Sequence, residues 1–374
     1  MKRNFSHRGL AAAAIAAMLA LTGAAHADGN FLSGIKRHTI LTNTVPDNGD
    51  QNPYAIAVSP VSAGKLKAGD VLVDNFNNAA NLQGLGSTIV DYHPDSKQMS
   101  LFAQLPRTLQ QCPGGVGLST AMTVLKSGWV IVGSTPSNDG TTDTKGAGCL
   151  MVLDSSGKLV DVWAGADINN PWGNMAVIDK GDKATLFVSN SGFGVGSSKG
   201  TPPVVSLATV LRLELDIPAG QAPKIVSRTV VASGFGEQAD KGVFLIGPTG
   251  LAYGKDDKLF VSDALNNRIS EIWDATTRTT SAGIGRTLTH DGLLLRPLAM
   301  TTTPQGHLLV TNGSNGKVVE IDPATGEQLA ARWIDANKAQ TPPGNGDLFG
   351  IAMTPEGDGF YFVTDDNNNL VLAK

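Results

Sequence analysis

Six short polar side chains recur at matching positions along the chain, each two residues after a valine. They are Asn75, Ser134, Asn190, Asp263, Asn312 and Asp365. Gathered around one axis, such side chains could bind a sugar, an acid or an ion. The same residue types are also favoured where a strand ends in a turn, because their oxygens bond to the local backbone. The sequence leaves both interpretations open, and the turn role is the commoner one in proteins.

These polar residues belong to a pattern that repeats along most of the chain. The valines that precede them are Val73, Val132, Val188, Val261, Val310 and Val363. Upstream of each valine, an alanine stands between two larger residues: Ala57, Ala121, Ala176, Ala252, Ala299 and Ala352. A period of roughly 50 to 70 residues, rich in short apolar strands, is typical of radially repeated β-sheets.

The fourth copy shows most clearly which strands one repeat contains. Residues 251–253 and 258–262 form two short strands, and residues 268–273 form a third in which apolar and polar residues alternate. Alternation bounded by Asp, Asn and Thr turns indicates antiparallel hairpins. We therefore predict an all-β fold, a six-bladed β-propeller of four-stranded antiparallel blades.

The two ends of the repeat region are complementary. The last copy stops one strand short, and residues 35–41 form an isolated strand before the first alanine. Pairing this N-terminal strand with the last blade would close the ring and remove two exposed edges. The small alanines are expected on the innermost strands, where large side chains would collide at the axis.

The first 27 residues have the features of an export signal. Three basic residues precede an apolar run at 10–21 and an Ala-x-Ala cleavage site at 25–27. The apolar run is too short to serve as a membrane anchor. We predict a mature chain of residues 28–374, folded as a single propeller domain and located in the periplasm or secreted.

The charge balance narrows the range of partners. The mature chain carries 26 Lys+Arg against 33 Asp+Glu, with no basic cluster. This balance argues against nucleic acid and against an anionic membrane as partners. We expect a monomer whose partner is a small molecule or a protein bound at one rim.

The chain has two cysteines, Cys112 and Cys149, and both lie in the second repeat. In an oxidising compartment such a pair is expected to form a disulfide, which would stabilise the fold by ~3–4 kcal/mol. Two free thiols are the alternative. A metal site needs more ligands than these two residues provide.

Residues 259–274 (LFVSDALNNRISEIWD) resemble an NHL repeat through their Asn267-Arg268-Ile269 core. Residues 309–322 are similar but lack that core. The pattern over the whole mature chain also resembles the gluconolactonase/paraoxonase-like six-bladed propellers. This resemblance implies a fold, whereas the activity must be argued from the site because propellers serve many functions.

The resemblance to the gluconolactonase-like enzymes implies a Ca²⁺ or other divalent ion at the top of the axis. Its Glu, Asn and Asp ligands would stand where the innermost strands begin, three residues before the alanine. In this chain those positions hold Tyr54, Leu118, Gly173, Thr249, Arg296 and Phe349. A hard cation needs several converging oxygen ligands, and only Asn174, one residue away, offers one. We therefore predict no metal and no cofactor, with an axial Ca²⁺ as the alternative.

Two further features of the predicted rim could contact a ligand. Arg296 could bind a carboxylate or phosphate, or it could pair with Asp263 or Asp347. The loops after the second strands are long in the first three repeats, at 74–87, 133–148 and 190–206. They could form a wall carrying the aromatic residues Trp172 and Phe193, or they could be solvated insertions.

Streptogramin-lyase-like propellers instead work with a histidine near the axis. The histidines of the mature chain are His38, His93, His290 and His307. None stands at the start of an innermost strand, so we expect surface roles for them. No recognised catalytic motif is present elsewhere.

The sequence does not decide whether the protein is an enzyme. Our leading hypothesis is an exported NHL-like propeller that acts as a binding or scaffold module through its loop-rich rim. The alternative is a gluconolactonase/paraoxonase-like metal-dependent lactonase or esterase with an atypical site. Oxygen ligands converging on the axis would favour the enzyme, and an axis plugged by Tyr54, Leu118 and Phe349 would favour binding.

Overall fold

The computed structural model describes Met1 and residues 29–374. The predicted export signal therefore lies, apart from Met1, outside the described residues. Residues 29–374 form six antiparallel sheets arranged as the blades of a propeller, as predicted. Helical structure within these residues is confined to α1 (Phe31–Gly34) and two 3₁₀ turns, Thr142–Thr144 and Ala264–Asn266. None of these helices has the length or the apolar character needed to cross a bilayer.

The blades are meanders whose strands run outward from the axis in chain order. The first blade contains β2 (Gln51–Val58), β3 (Val71–Asn77), β4 (Thr88–His93) and β5 (Gln98–Gln104). The second contains β6 (Leu118–Val124), β7 (Val130–Ser134), β8 (Cys149–Leu153) and β9 (Leu159–Trp163). The fourth contains β15 (Pro248–Tyr253), β16 (Leu259–Asp263), β17 (Arg268–Ile272) and β18 (Arg286–His290). The fifth contains β19 (Pro297–Thr302), β20 (Leu308–Asn312), β21 (Lys317–Ile321) and β22 (Gln328–Trp333).

The sixth blade joins the two ends of the described chain. Its inner strands are β23 (Leu348–Met353), β24 (Phe360–Thr364) and β25 (Asn369–Ala373), and its outer strand is β1 (His38–Asn43). β1 pairs antiparallel with β25, from His38 opposite Ala373 to Asn43 opposite Asn369. The predicted closure is confirmed, with the strand starting three residues later than expected.

The third blade departs from the four-stranded prediction. It contains β10 (Ala176–Asp179), β11 (Lys183–Asn190), β12 (Val205–Asp216), β13 (Lys224–Asp240) and β14 (Phe244–Ile246). The long β13 runs past its neighbour, and the chain then turns back as β14, where Ile246 pairs with Gln238. This extension accounts for the length of the third repeat and brings an apolar segment to the axis.

The repeated alanines and valines occupy the positions expected of them. All six alanines lie on the innermost strands, and all six valines lie on the second strands. The valines are almost completely buried between blades. Packing of branched side chains between the sheets therefore forms the core, while small residues let the blades converge.

Hydroxyl groups on the second strands join neighbouring blades. Ser262 accepts the N–H of Gly250 in its own blade at 2.7 Å and donates to the carbonyl of Leu298 in the next at 2.6 Å. Ser189 makes the equivalent pair of bonds between the third and fourth blades. In the third and fourth blades the residue between the repeated valine and the repeated polar residue thus holds two innermost strands in register.

Asp74 takes the same place in the first blade. Its Oδ1 accepts the N–H of Ala55 at 2.9 Å, and the side chain is fully buried. Burial raises the pKa of Asp74 well above its usual range, although the hydrogen bond from Ala55 opposes this. Asp74 therefore accepts as the serines do, whereas its other oxygen, Oδ2, has no hydrogen-bond partner.

The two cysteines are buried and joined in a disulfide, Cys112–Cys149. The bond ties the segment after β5 to the start of β8. It lies in the core shared by the first and second blades.

Candidate functional site

Most of the six repeated polar residues bond to the backbone of the segment that precedes the innermost strand of their own blade. Three of them are fully buried asparagines: Asn75, Asn190 and Asn312. Asn312 accepts the N–H of Leu295 at 3.0 Å and donates to the carbonyl of Leu293 at 2.9 Å. Asn190 accepts the N–H of Asn169 at 3.1 Å. These bonds reach back 17 to 21 residues, to the segment that precedes the innermost strand, so they are not the short-range turn bonds expected from the sequence.

The side chains of Ser134 and Asp263 also have partners within the protein. Ser134 accepts the N–H of Gly117 and donates to the carbonyl of Gly115, both at 3.0 Å. Asp263 is fully buried and forms an ion pair with Arg268 at 2.6 Å. A ligand would have to displace these bonds, so ligand binding by this set stays a prediction without support from their surroundings.

Arg296 lies at the same rim with a left-handed backbone, at φ 54°. Its guanidinium pairs with Asp240 at 3.6 Å. The partner is thus neither Asp263 nor Asp347, because the unpredicted β13 extension brings Asp240 to the mouth. Arg296 remains partly exposed, so a ligand could reach its guanidinium.

Aromatic side chains fill the mouth of the axis where the innermost strands begin. The rings of Tyr54 and Phe349 stack with centroids 3.8 Å apart, and Phe76 stacks on the other side of Tyr54 at 4.6 Å. Trp172 meets Tyr54 edge-on at 6.1 Å, and Phe244 of β14 stacks on Trp172 at 6.3 Å. We call these five residues the aromatic plug.

The aromatic plug leaves no room for a ligand at this mouth. The cavity beside Trp172 and Phe349 measures about 10 Å³, which is too small for anything larger than a water molecule. Of the three plugging residues expected from the sequence, Tyr54 and Phe349 are present. Leu118 lies instead in the core between the first and second blades. Trp172, expected on the wall of the rim, is buried in the plug.

Asn174 crosses the axis below the plug. Its Nδ2 donates to the carbonyls of Leu251 and Met300, both at 2.9 Å, and its Oδ1 accepts the N–H of Met300 at 2.9 Å. Its amide therefore links the third blade to the fourth and the fifth. No part of that amide is left to coordinate a metal ion.

A local bulge explains why Asn174 reaches the axis. Ala176 pairs with Phe187, but the next bridge joins Pro171 to Asn190. In the fourth blade the corresponding pairs are Ala252 with Phe260 and Pro248 with Asp263. The third blade therefore has one residue more on its innermost strand, and this extra length turns Asn174 inward.

A funnel opens on the opposite face, where the innermost strands end. Its volume is about 510 Å³, and every blade contributes to its wall. The wall includes Ile56, Met122, Met175, Leu251, Met300 and Met353. Lys126 and Asp179 stand at the rim of the funnel, where the Lys126 ammonium donates to the Asp179 carbonyl at 2.9 Å.

Carboxylates gather on the rim that carries the plug. One oxygen each of Asp335, Asp347 and Asp366 lies within 4.8 Å of the others. Asp365 is adjacent and accepts a hydrogen bond from Asn52 at 3.3 Å. Burial, together with the other acids, raises the pKa of Asp347 to about 6 and that of Asp365 well above its usual range. Asp365, predicted as a rim ligand, thus belongs to an acidic group (Asp335, Asp347, Asp365 and Asp366) beside the mouth rather than on the axis.

The long loops of the first three repeats contact one another over this rim. The N–H of Ser137 donates to the carbonyl of Gly84 at 2.9 Å, and Lys145 donates to that of Gly192 at 2.9 Å. Lys199 pairs with Asp143 at 2.9 Å. The loops therefore form a continuous cover, and Phe193 lies partly exposed within it.

The comparisons with known proteins concern the fold. No protein-family model matches the chain, and no curated protein sequence matches it. A solved regucalcin from Agrobacterium tumefaciens aligns with a TM-score of 0.52 and 11% identity, covering 90% of this chain and 93% of that one. A gluconolactonase from Xanthomonas campestris aligns with a TM-score of 0.51 and 14% identity, covering 91% and 94%. The chain has the gluconolactonase-like propeller fold.

A third solved structure shows how little this likeness says about activity. The aldose sugar dehydrogenase of Streptomyces coelicolor, in its PQQ-bound form, aligns with a TM-score of 0.53 and 14% identity, covering 90% and 97%. Proteins with different activities thus fit this chain equally well. These likenesses therefore show the fold alone, and the NHL resemblance stays a prediction.

Glu237 is a buried acid to which no motif or repeat in the sequence points. Its side chain is fully buried beneath the long loops, and neither of its oxygens accepts a hydrogen bond. Burial raises the pKa of Glu237 to about 8, against the opposing charge of Lys145. Glu237 is therefore protonated in the folded protein at neutral pH.

Glu237→Gln should make stability less dependent on pH. Because the folded pKa lies above the unfolded value, the contribution of Glu237 is complete below about pH 4.5 and is lost as pH rises through about 8. Glutamine keeps the shape and cannot ionise. We expect the variant to match the wild type at pH 5 and to exceed it by about 3 kcal/mol at pH 9. Thermal unfolding followed by circular dichroism across this range measures the difference.

The exposed Glu327→Gln is the matched control, because it removes the same charge where water solvates it. It should change the melting temperature by about 1 °C or less at either pH. Parallel pH profiles for wild type and Glu237→Gln would contradict the assignment of a buried neutral acid.

Proposed function

We propose that this protein binds a small, mainly apolar molecule in the funnel where the innermost strands end. The observation that carries the proposal is the contrast between the two ends of the axis. One end is filled by the aromatic plug, and the other opens as a cavity of about 510 Å³. Cavities of this size are typical of small-molecule sites.

The lining of the funnel suggests the chemistry of the ligand. Met353 lies partly exposed in the wall and contributes a flexible, polarisable side chain that adapts to varied apolar shapes, whereas Met122, Met175 and Met300 pack mainly into the cores between blades. The free edges of the innermost strands offer backbone N–H and C=O groups, which have no further strand to pair with. An apolar body with one polar end would satisfy both kinds of surface.

We also propose that the protein acts outside the cytoplasm as a monomer. Residues 1–27 have the sequence of an export signal. The Cys112–Cys149 disulfide suits an oxidising compartment.

Binding of the fluorescent apolar probe 8-anilinonaphthalene-1-sulfonate tests the funnel. Wild-type protein should bind it saturably, and Val58→Trp should weaken binding at least about 10-fold, because indole would occupy part of the funnel wall. Val160→Trp, the same change on an exposed outer strand, should leave binding unchanged. Equal binding by wild type and Val58→Trp would overturn the proposal.

A second function is favoured by the acidic group near the plug. Three carboxylates within 4.8 Å of one another could hold Ca²⁺ through oxygen ligands, away from the axis. A lactonase or esterase with a displaced metal would fit both this group and the fold of the solved neighbours. Ca²⁺-dependent hydrolysis of a lactone and aryl-ester panel, lost in Asp347→Asn, would support it. No turnover with Ca²⁺ would exclude it.

A further inference from the structure

A second cluster of titratable side chains lies in the first blade, on the face where the funnel opens. Asp70 precedes β3, and Asp91 and His93 lie near the end of β4. One ligand atom of each lies within 4.8 Å of the others. His93 Nδ1 stands 2.9 Å from an oxygen of Asp70 and 3.9 Å from an oxygen of Asp91.

Asp91 has no hydrogen-bond partner for either of its oxygens. Its side chain is only 1% exposed, so water does not replace the missing partners. A buried carboxylate in this state is unfavourable by several kcal/mol unless a proton or a cation compensates it. A proton or a cation among Asp70, Asp91 and His93 would compensate this carboxylate.

The surroundings of His93 indicate which occupant the site suits. Its Nε2 lies 3.2 Å from the hydroxyl oxygen of Ser100. If Nε2 carries the proton and donates to Ser100, the lone pair of Nδ1 faces the two carboxylates. Two acceptors at 2.9 Å repel each other unless a positive charge lies between them. Hydrogen bonds to the far ring nitrogen orient metal-bound histidines in this way.

We propose that Asp70, Asp91 and His93 bind a divalent transition metal ion of the Zn²⁺ type. One imidazole and two carboxylates form a donor set that suits Zn²⁺, whereas Ca²⁺ and Mg²⁺ prefer oxygen ligands alone. The backbone N–H of Lys67 donates to Asp70 at 2.8 Å and fixes that carboxylate. The site is independent of the funnel ligand and of the acidic group near the plug.

The ion would have a structural role. It would tie the turn before β3 to the end of β4, at the border with the second blade. The Lys65 ammonium donates to the carbonyl of Phe102 at 2.9 Å, so it is already engaged with the backbone beside the site. The positive charges of Lys65 and Lys67 reduce the local attraction for a cation, so we expect micromolar rather than picomolar affinity.

Metal titration of the full-length protein tests the site. After chelator treatment and dialysis, one Zn²⁺ per chain should bind, measured by elemental analysis, and the melting temperature should rise by several degrees. Asp91→Asn, which keeps shape and removes charge, should weaken Zn²⁺ at least about 10-fold. Co²⁺ in place of Zn²⁺ should give the visible absorption of a low-coordinate site, which Asp91→Asn should abolish.

The exposed pair of His290 and Asp291 provides the control for adventitious binding. His290→Gln should leave the tight site unchanged, and His93→Gln should remove it. If Zn²⁺ binds at less than one ion per chain, or binds equally to wild type and Asp91→Asn, the proposal is overturned. A proton shared among the three side chains would then compensate the buried carboxylate of Asp91.

Discussion

Replacing Gly173 with alanine is expected to prevent folding or to lower the free energy of unfolding by more than about 4 kcal/mol. A Cβ atom at this position would lie 1.4 Å from the carbonyl oxygen of Thr249 and 1.9 Å from its carbonyl carbon. Both atoms belong to the backbone of the next blade's innermost strand, which cannot move without displacing that blade. Soluble yield and thermal unfolding of the variant measure the effect.

Gly196→Ala is the matched control, because a Cβ there meets no atom within 4 Å. It should fold with a melting temperature close to that of the wild type. A Gly173→Ala protein that unfolds within about 2 °C of the wild type would show that the third and fourth blades are less closely packed than described.

Gly173 also explains a feature that the sequence left unexplained. It occupies the position that the resemblance to gluconolactonase-like enzymes assigns to an axial metal ligand. The structure shows that no side chain fits there, because the backbone of the fourth blade lies against it. At this one position the departure from the family pattern is thus a packing requirement.

The architecture could be predicted because each repeat of the sequence corresponds to one blade of the propeller. An alanine on each innermost strand and a valine on each second strand are short-range signals, and the closing strand was evident from the missing fourth strand of the last copy. The fifth strand of the third blade was not predicted. Its residues, Phe244–Ile246, have no counterpart in the other repeats, so the repeat gave no signal for them.

The site was harder to predict because it depends on contacts between distant residues. The polar residues after the valines are types that suit both turns and ligands, and only their partners separate the two roles. The acidic group joins residues 335, 347 and 366 across two blades. The second cluster joins a turn to the end of a strand and consists of Asp70, Asp91 and His93. From the sequence we had expected a surface role for His93. Its side chain is 18% exposed, and its ring nitrogen faces carboxylates.

Phe349→Ala is expected to lower the free energy of unfolding by about 3–5 kcal/mol. Phe349 is 4% exposed and stacks on Tyr54 at 3.8 Å in the aromatic plug. Its removal would leave a cavity at the axis that neighbouring rings cannot fill, because each is fixed by its own strand. Denaturant unfolding measures the loss, and Phe349→Leu should restore part of the stability.

Phe349→Ala should weaken the plug and nevertheless leave ligand binding in the funnel unchanged. Between the plug and the funnel, Asn174 joins the third blade to the fourth and the fifth through three hydrogen bonds of 2.9 Å. It therefore separates the two ends of the axis. Phe349→Ala should therefore bind the fluorescent probe as tightly as the wild type under native conditions. Phe193→Ala, the same substitution in a partly exposed loop, should cost about 1 kcal/mol or less. If Phe349→Ala abolished probe binding while remaining folded, the plug and the funnel would form one continuous site, and the ligand would have to be sought along the whole axis.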